Sequence, residues 1–397
     1  MDYVTAAAKS GNIEAINFLK YHKASKLIHS LTPISIAARG GYIEVVEIFL
    51  TYSSNYQKDC NDAARWAASK GQIEIVQLML DRGVEGNYSV QLAAEHGHLD
   101  VVKLLVEHGA DILSHNNYCI QNAAYNGHLE VVQFLIDHGA DVHAKDDYAV
   151  QWAAGHGHLK VVQLLLDHGA DPSRYSYKSI HLAAHYGHLE VVQLLVNRGA
   201  DIQLHGHYYL QGAAAGGHLN IMQFLWDHGA KNADCVLTEA ARNGHVEIVR
   251  VLLNELDLHT QDDEPLRSAA RNGHFEVVKL LLEHGANVHA CVECSWYRTR
   301  GPTSPYVKMP EASSTDQALQ WSANEHYWDV SELLITYGSD PTVLSEEQRD
   351  VLKDIQQKRI AELTKHFNAQ FENAPHFEKG IVSSLIAPYL KFMQVDS

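Results

Sequence analysis

Apolar residues recur along this chain in a unit of about 30 residues that predicts two helices per unit. Residues 146–171 read DDYAVQWAAGHGHLKVVQLLLDHGAD, in which an alanine-containing run ends at Gly157 and a second apolar run ends at Gly169. Glycine often closes a helix because it adopts left-handed backbone angles at the least steric cost. Small residues at Ala153 and Ala154 suit a first helix that a neighbour approaches closely. The unit therefore predicts a helix, a glycine turn and a second helix.

The second helix of this unit is apolar over most of its circumference. One face carries Leu159, Val162, Leu165 and Leu166, and the other side carries Val161 and Leu164. A helix of this kind must be buried between neighbours, because neither side is polar enough to face water. Pairs of antiparallel helices joined by polar turns and stacked in series form a solenoid, in which each copy contacts the copies beside it.

The unit repeats through most of the chain. Ten glycines mark the end of the first helix at intervals of 26 to 30 residues: Gly11, Gly41, Gly71, Gly97, Gly127, Gly157, Gly187, Gly217, Gly244 and Gly273. Residues 320–341, QWSANEHYWDVSELLITYGSDP, form an eleventh copy in which His326 replaces the glycine. We predict about ten repeats in residues 1–290 and a degenerate final repeat in residues 315–342.

The recurring pattern AAxxGHLEVVxxLLxxGAD resembles the ankyrin repeat family over residues 1 to about 342. This resemblance implies an all-α ankyrin solenoid of about ten to eleven helix-turn-helix units that binds proteins. The units are near 30 residues long, where the family has 33, and they read SVQL, CIQN, AVQW or SIHL in place of TPLH. The shortened turn, with its tyrosines, resembles the ankyrin proteins of giant DNA viruses of amoebae. The tyrosines are Tyr88, Tyr118, Tyr148 and Tyr208.

Shorter turns would give the helical face a larger share of partner binding. Positions that vary between copies are free to serve a partner, and the resemblance implies that those around the marker glycine line the concave face. The partner-binding candidates are Trp66, Lys70, Tyr125, Trp152, His156, His185, Tyr186, Arg242, Arg271 and Trp321. Large aromatic residues are the side chains most often found as interface anchors. The alternatives are drift on a solvated surface and, for the tryptophans, packing between helices.

Histidines recur at fixed positions of the unit, such as His98, His128 and His158 directly after the marker glycine. Such strict repetition favours a structural role, in which one imidazole per unit ties the turn by hydrogen bonds. A metal or catalytic site would need different ligands that converge, so we expect neither. Stacked imidazoles titrate near pH 6.5, and we expect acidification to about pH 5 to destabilise the stack by like-charge repulsion.

Residues 291–314 interrupt the period and predict an irregular inserted finger. The stretch CVECSWYRTRGPTSPYVKMPEASS contains three prolines along with serines and threonines. Cys291 and Cys294, with His289 nearby, make half of a zinc knuckle, but the finger lacks the other half. We therefore expect free thiols and no metal or other cofactor. The few basic residues of the finger do not predict nucleic-acid binding in a chain of net charge −17.

Residues 343–397 differ from the repeats and predict two helices. The first starts at a capping box, Ser345 to Gln348. It repeats apolar residues at Leu352, Ile355, Leu363, Phe367 and Phe371. One interpretation is a cap over the apolar flank of the last repeat. The other is a recruiter of a ubiquitin-ligase adaptor, because FEKGIVSSLIAPYL is similar to the start of an F-box, as on poxvirus ankyrin proteins. Its contact residues would be Phe377, Ile381, Leu385, Tyr389 and Leu390.

Composition and missing motifs narrow the function. The chain has 397 residues, no apolar run of the roughly 20 residues that span a bilayer, and no signal-peptide pattern at its start. Five cysteines are few and odd in number, which fits a reducing cytoplasm. Walker, GxSxG, HExxH and kinase motifs are absent, so we predict a non-enzymatic scaffold for a protein partner, of the host if the chain is viral. Alternatives are a ubiquitin-ligase substrate receptor and a structural or virion-associated protein.

Overall fold

The computed structural model describes ten stretches of the chain, together with the isolated residue 53. They are residues 3–14, 31–51, 55–171, 176–231, 235–256, 258–259, 263–290, 297–298, 306–307 and 316–371, the last of which carries side-chain detail through most of residues 316–365. The chain divides into two compact units, Met1–His205 and Gly206–Ser397.

The first unit consists of helix pairs that follow the predicted period. Its helices are α1 (Tyr3–Ser10), α2 (Leu31–Gly40), α3 (Ile43–Thr51), α4 (Tyr56–Ala68), α5 (Ile73–Leu80), α6 (Asn87–Glu95), α7 (Leu99–Glu107), α8 (Ser114–Tyr125), α9 (Leu129–Asp137), α10 (Ala144–Gly155), α11 (Leu159–Asp167), α12 (Ser176–Tyr186) and α13 (Leu189–Asn197). First helices contact the first helices of neighbouring repeats, as α8 contacts α6 and α10.

The second unit continues the alternation and ends in a long helix. Its boundary lies within α14 (Ile202–Gly216), which is followed by α15 (Leu219–Asp227), α16 (Cys235–Arg242), α17 (Val246–Leu252), α18 (Glu264–Arg271), α19 (Phe275–Glu283), α20 (Gln317–Asn324), α21 (Trp328–Thr336), a 3-10 turn (Pro341–Val343) and α22 (Glu346–Phe371). Within the predicted finger, β1 (Tyr297–Arg298) pairs antiparallel with β2 (Tyr306–Val307). Over the described ranges, the fold is therefore all-α apart from this two-residue ladder.

Burial explains the composition of the helix pairs. Ala153 and Ala154 of α10 are fully buried, which confirms the prediction that small residues let a neighbouring helix approach. The buried side of α11 is formed by Val161, Val162, Leu165 and Leu166. The predicted division into faces was wrong at two positions, because Leu159 is only half-buried and Val161 belongs to the inner face. Leu164 is also half-buried, so it was wrong to expect this helix to be buried all round. The helix therefore buries one face, and its whole circumference is not enclosed as the sequence predicted.

Most marker glycines have two roles, as Gly97 illustrates. Gly97 has φ +77°, which closes α6 in a left-handed turn, and the imidazole of His128 from the next repeat lies against its Cα. A Cβ at Gly97 would meet His128 Nδ1 at 2.5 Å. The position must therefore be glycine both for its backbone angle and for the space that the next repeat occupies.

The imidazole that covers the glycine also bonds the preceding repeat. His128 Nε2 lies 3.0 Å from the carbonyl oxygen of Glu95. A carbonyl only accepts, so Nε2 carries the proton. The same bond to the repeat before is made by His98 to Ser69, His158 to Tyr125, His188 to Gly155, His245 to Ala215, and His274 to Arg242. The histidines are structural, as predicted, but they join two repeats instead of tying their own turn. We call this arrangement the histidine clamp.

A second set of histidines closes the second helix within its own repeat. In each, Nδ1 bonds the carbonyl oxygen four residues earlier: His108 to Leu104, His138 to Phe134, His168 to Leu164, His228 to Phe224, and His284 to Leu280. These carbonyls belong to the last helical turn and also accept the backbone N–H of the same histidine, so the imidazole adds a second hydrogen bond to each of them. The repeated histidine here is a C-terminal cap.

The short period results from a compact left-handed turn between repeats. Lys145, Asp146 and Asp147 have φ between 54° and 60°, and residues 115–117 adopt the same conformation. Left-handed angles cost roughly 1–2 kcal/mol per ordinary residue, least for Asn and Asp. The buried Gln151 offsets part of this cost because its Nε2 donates to the Asp146 carbonyl oxygen at 2.6 Å. The glutamine of the AVQW and CIQN motifs thus holds a turn.

The last residue of this turn joins its repeat to the next one through a side-chain oxygen. Asn87 and Asn117 accept the backbone N–H of the residue 24 positions ahead, at 2.8 and 2.9 Å. Asp263 and Asp316 accept the equivalent bond at 3.1 and 3.0 Å. Asparagine and aspartate therefore accept the same backbone hydrogen bond at this position, although only aspartate is charged.

In the described residues, the aspartate version always has a histidine partner. The three aspartates are at most 4% exposed, and their Oδ1 atoms contact a histidine Nδ1: Asp147 with His143 at 2.8 Å, Asp263 with His259 at 3.1 Å, and Asp316 with His289 at 2.7 Å. In the Asn117 repeat, Leu113 stands in the place of His143. A buried carboxylate needs such a donor, while a neutral amide does not.

The first half of α22 caps the last repeat. Ser345 and Gln348 form the predicted capping box, with the Gln348 N–H on Ser345 Oγ at 3.2 Å and the Ser345 N–H on Gln348 Oε1 at 3.0 Å. Leu352 is fully buried, and Arg359 pairs with Asp329 and Glu332 of α21. Leu363 is 44% exposed, so its predicted place in the apolar stripe was wrong. The side chains of Phe367 and Phe371 lie outside the described residues.

Replacing the marker glycine should cost more than replacing another left-handed glycine of the same repeat. Gly97→Ala combines an unfavourable φ with a clash against His128, and we expect a loss of about 2–4 kcal/mol. Gly109→Ala is the matched control, since Gly109 has φ +85° and open space around it, and it should cost about 1–2 kcal/mol. Urea unfolding measures both, and equal costs would show that the clamp adds nothing to the backbone effect.

The aspartate–histidine pair should be replaceable as a pair but not singly. His143→Leu removes a donor from the buried Asp147 carboxylate and should destabilise the chain by on the order of 1–2 kcal/mol. The double variant His143→Leu/Asp147→Asn recreates the Leu113–Asn117 combination and should recover most of that loss. A double variant that is no more stable than His143→Leu, in thermal or urea unfolding, would contradict the pairing rule.

Candidate functional site

The predicted partner-binding residues of the first unit reach the surface. Trp66, Tyr125 and Tyr186 are 41%, 40% and 56% exposed. Lys70 and His156 are exposed as well, whereas Trp152 and His185 are half-buried. All seven lie in or directly after a first helix. The alanine pairs occupy the buried positions of the first helices, so these seven side chains lie toward the surface.

Three of these residues come together in the middle of the first unit. The ring centroids of Tyr125 and Trp152 are 5.4 Å apart, and the Tyr125 and His156 rings are 4.1 Å apart. Tyr148 packs edge-on against Trp152 at 5.5 Å. We call Tyr125, Tyr148, Trp152 and His156 the central aromatic cluster. The prediction missed Tyr148, although helical spacing shows that residues 148, 152 and 156 share one face.

Trp66 and Lys70 line a groove nearer to the N-terminus. The groove has a volume of about 410 Å³ and is lined by Arg39, Asp62, Arg65, Trp66, Ser69, Lys70, Leu92 and His96. We call it the Trp66 groove. The Arg39 guanidinium lies 4.9 Å from the Trp66 ring, and the Arg65 guanidinium lies 5.5 Å from the Tyr88 ring. The prediction missed both arginines, because comparing copies position by position does not show contacts between neighbouring repeats.

His185 and Tyr186 form a separate aromatic pair on α12. Their rings meet edge-on at 4.8 Å, and His185 stacks in parallel with His181 at 6.5 Å. This pair, together with His181, places two imidazole rings and an exposed phenol on a first helix, as in the central aromatic cluster.

The predicted residues of the second unit are engaged in ionic and cation–π contacts. Arg242 pairs with Glu239 at 2.8 Å. The Arg271 guanidinium lies 5.4 Å from the Trp321 ring, across adjacent repeats. Arg267, which is 1% exposed, lies 5.8 Å from the same ring and pairs with Glu264 at 2.6 Å. Trp321 is half-buried, so part of its surface serves the packing between repeats.

The remaining predictions concern residues with little or no structural description. Phe377, Ile381, Leu385, Tyr389 and Leu390, the F-box-like residues, lie outside the described residues. The same is true of Cys291 and Cys294. Among the residues that the structure does describe, no group of three or more His, Cys, Asp or Glu is arranged to hold a metal ion.

The cysteines that the structure describes are free thiols, namely Cys60, Cys119 and Cys235. Burial raises the pKa of Cys119 to about 12. Burial also raises the pKa of Cys60, partly offset by a hydrogen bond from Tyr56. The thiolate is the reactive form of cysteine, so these two buried residues are poor nucleophiles and poor metal ligands.

Two of the clamp histidines, His98 and His158, have pKa values below that of free imidazole. Burial lowers the pKa of His98 and of His158, and the bonds to Ser69 and Tyr125 oppose that effect only in part. Neighbouring histidines lower both pKa values further, by smaller amounts. The expected acid sensitivity therefore has burial as its first cause, and the like-charge repulsion that the sequence suggested is secondary.

The comparisons with known proteins agree with the fold. A family model for ankyrin repeats, built of three copies, matches residues 4–89, 84–146, 120–205 and 210–291. These segments cover well over half of the chain, which belongs to the ankyrin repeat family. Ankyrin repeats are in general non-enzymatic modules for protein–protein interaction.

One solved structure that resembles the chain is the crystal structure of the human ASB11 ankyrin repeat domain. It is 22% identical in sequence, with a TM-score of 0.41, and the match covers 56% of this chain and 98% of that domain. A search of curated proteins gives no significant match. In the helices that the structure describes, none combines the length and apolar character needed to span a membrane.

Acid should weaken the fold through His98 and His158, two of the clamp histidines. Their folded pKa values lie below that of the unfolded chain, so only the unfolded state takes up protons as the pH falls through about 6.5. Stability is complete above that pH and is lost as the pH falls toward the lowered folded values. The melting temperature should therefore drop between pH 7.5 and 5.5.

A glutamine variant tests this assignment, because Gln72 already occupies the clamp position against Gly41. His98→Gln/His158→Gln should show a smaller drop than the wild-type chain. His108→Gln/His168→Gln, which removes two exposed histidines, is the matched control and should keep the wild-type drop. Parallel curves for all three proteins would show that the clamp is not the acid-sensitive element.

Proposed function

We propose that this chain is a scaffold that binds a protein partner through the exposed face of its first helices. The observation that supports this is the central aromatic cluster. Its four rings lie on one surface, and Tyr125 and Tyr148 are 40% and 37% exposed. Aromatic side chains that are rigid yet partly exposed are typical anchors of protein interfaces. The clamp and the alanine pairs hold the cluster on a rigid base, which lowers the entropy cost of binding.

The cellular setting belongs to the same proposal. The tyrosine-containing short turn resembles ankyrin proteins of giant DNA viruses of amoebae, and that resemblance supports a host protein as the partner and the host cytoplasm as the location. Free, buried thiols at Cys60 and Cys119 suit a reducing compartment. We place the binding of nucleic acid and of membranes outside the proposal, because the chain carries a net charge of −17.

A second candidate is a substrate receptor that recruits a ubiquitin ligase through its C-terminus. One observation favours it: α22 contacts the last repeat through Leu352 and Arg359, yet it continues to Phe371 with Leu363 exposed. The cap therefore requires only part of the segment after residue 343. The similarity of FEKGIVSSLIAPYL to the start of an F-box supports this candidate.

A pull-down from host cytosol, with bound proteins identified by mass spectrometry, tests both candidates in one experiment. Four proteins are compared: the full chain, Tyr125→Ser/Tyr148→Ser, the control Tyr337→Ser, and a chain that ends at Phe371. Tyr337 is 42% exposed and lies at the end of a second helix. Ending at Phe371 keeps the capping contacts, whereas a cut at Asp340 would uncover the last repeat and confuse loss of binding with loss of folding.

We expect a partner that is retained by the full chain and by Tyr337→Ser and is reduced at least tenfold by the cluster variant. Ligase subunits that disappear when the chain ends at Phe371, while that partner remains, would support the receptor candidate. Partners that bind the cluster variant as well as the full chain would refute the proposed surface, provided that the melting temperatures of the variants are similar.

A further inference from the structure

The Trp66 groove differs in charge from the chain that contains it. The chain as a whole has a net charge of −17. The groove is lined by three permanent cations, Arg39, Arg65 and Lys70, and by one carboxylate, Asp62. Asp62 lies 3.6 Å from Arg65, and this ion pair leaves the groove with an excess of two positive charges. A local excess of one sign in a concave surface concentrates the field and attracts a partner of the opposite sign.

The arginines of the groove are held by aromatic rings. Arg39 lies over Trp66 at 4.9 Å, and Arg65 lies over Tyr88 at 5.5 Å. Cation–π contact uses the face of the guanidinium and leaves its N–H groups at the edge free to donate. Arg39 thus retains the planar fork that binds a carboxylate with two parallel hydrogen bonds, whereas one N–H group of Arg65 faces Asp62.

The floor of the groove is apolar. Trp66 is 41% exposed, and Leu92 of the next repeat is half-buried beside it. The base of the groove is rigid, because Ala67 and Ala68 are fully buried and the Ser69 hydroxyl is tied to the Trp66 carbonyl oxygen at 2.8 Å. A volume of about 410 Å³ admits one or two side chains. The ligand that fits therefore combines an apolar side chain with carboxylates around it.

We propose that the Trp66 groove binds an acidic peptide segment of a partner protein, with an apolar side chain over Trp66 and Leu92 and with carboxylates on Arg39 and Lys70. The proposal rests on the scaffold function above and adds a second contact point with its own chemistry. The central aromatic cluster has a single lysine over one of its rings, Lys145 at 5.8 Å from Tyr148. The groove therefore selects for an acidic segment of the partner.

Selection from a random peptide library displayed on phage, with the full chain as bait, tests the proposal while the partner itself is still unidentified. Binders are counter-selected against Arg39→Glu/Lys70→Glu, which reverses the charge of the groove. The matched control is Lys103→Glu/Lys160→Glu, with the same change in net charge at two exposed lysines on second helices. Selected peptides are then synthesised and titrated against all three proteins by fluorescence anisotropy.

We expect peptides rich in Asp and Glu around one large apolar residue. Their affinity should fall at least tenfold in Arg39→Glu/Lys70→Glu, stay within about twofold in the control, and weaken as salt rises from about 50 to about 500 mM. Trp66→Ala should weaken binding without changing the salt dependence, because it removes the apolar contact and not the charges.

Three results would overturn the proposal: selection that yields no peptide sensitive to Arg39→Glu/Lys70→Glu, sensitive peptides that are neutral or basic, or equal losses in the charge-reversed protein and its control. These results leave the scaffold function untouched if the pull-down still shows a partner that depends on Tyr125 and Tyr148. Loss of that partner dependence together with intact acidic-peptide binding would instead refute the central cluster and retain the groove.

Discussion

The contact on which the described stacks depend is an imidazole laid against a glycine. His128 covers the Cα of Gly97 and donates to the carbonyl of Glu95, so one side chain satisfies a backbone acceptor and fills the space at the helix end. No larger residue fits beneath the ring, and every other residue would have a higher conformational energy than glycine at this positive φ. The two positions constrain each other across the repeat boundary. This mutual constraint explains why GH follows the alanine pair in so many copies.

Fixing the inner positions in this way leaves the outer ones free. The alanine pairs, the glycine and the clamp are determined by packing, whereas residues such as Trp66, Trp152 and Arg271 face outward and differ between repeats. Their contacts run between neighbours: Arg39 reaches Trp66, and Arg271 reaches Trp321. The surface that a partner meets is therefore built by pairs of adjacent repeats, and its chemistry changes from a cationic groove to an aromatic cluster within one unit.

The sequence was sufficient for the family, the helix pairs, the marker glycines and the capping box at Ser345, because each depends on local pattern or on repetition. It was insufficient wherever a property arises between repeats. The direction of the His128 bond, the role of Tyr148 beside Trp152, and the arginines of the groove follow only from the three-dimensional structure. Leu159, Val161 and Leu363 were placed on the wrong face because apolar character alone does not say which side of a helix a neighbour covers. The left-handed turn at residues 145–147 was also missed, because Asp and Lys do not predict a positive φ as glycine does.

The pair formed by His289 and Asp316 has a further consequence for how such a chain can change. Elsewhere the two partners are four residues apart, yet here they are 27 apart and keep the same contact, at 2.7 Å. The His289–Asp316 contact is thus made even though 26 residues, 290–315, separate the two partners in the sequence. The turns at His143 and His259 have the same aspartate–histidine contact with partners four residues apart. The entropic cost of closing a loop grows only slowly with its length. A turn held by this side-chain contact can therefore accept inserted residues at a small cost in free energy.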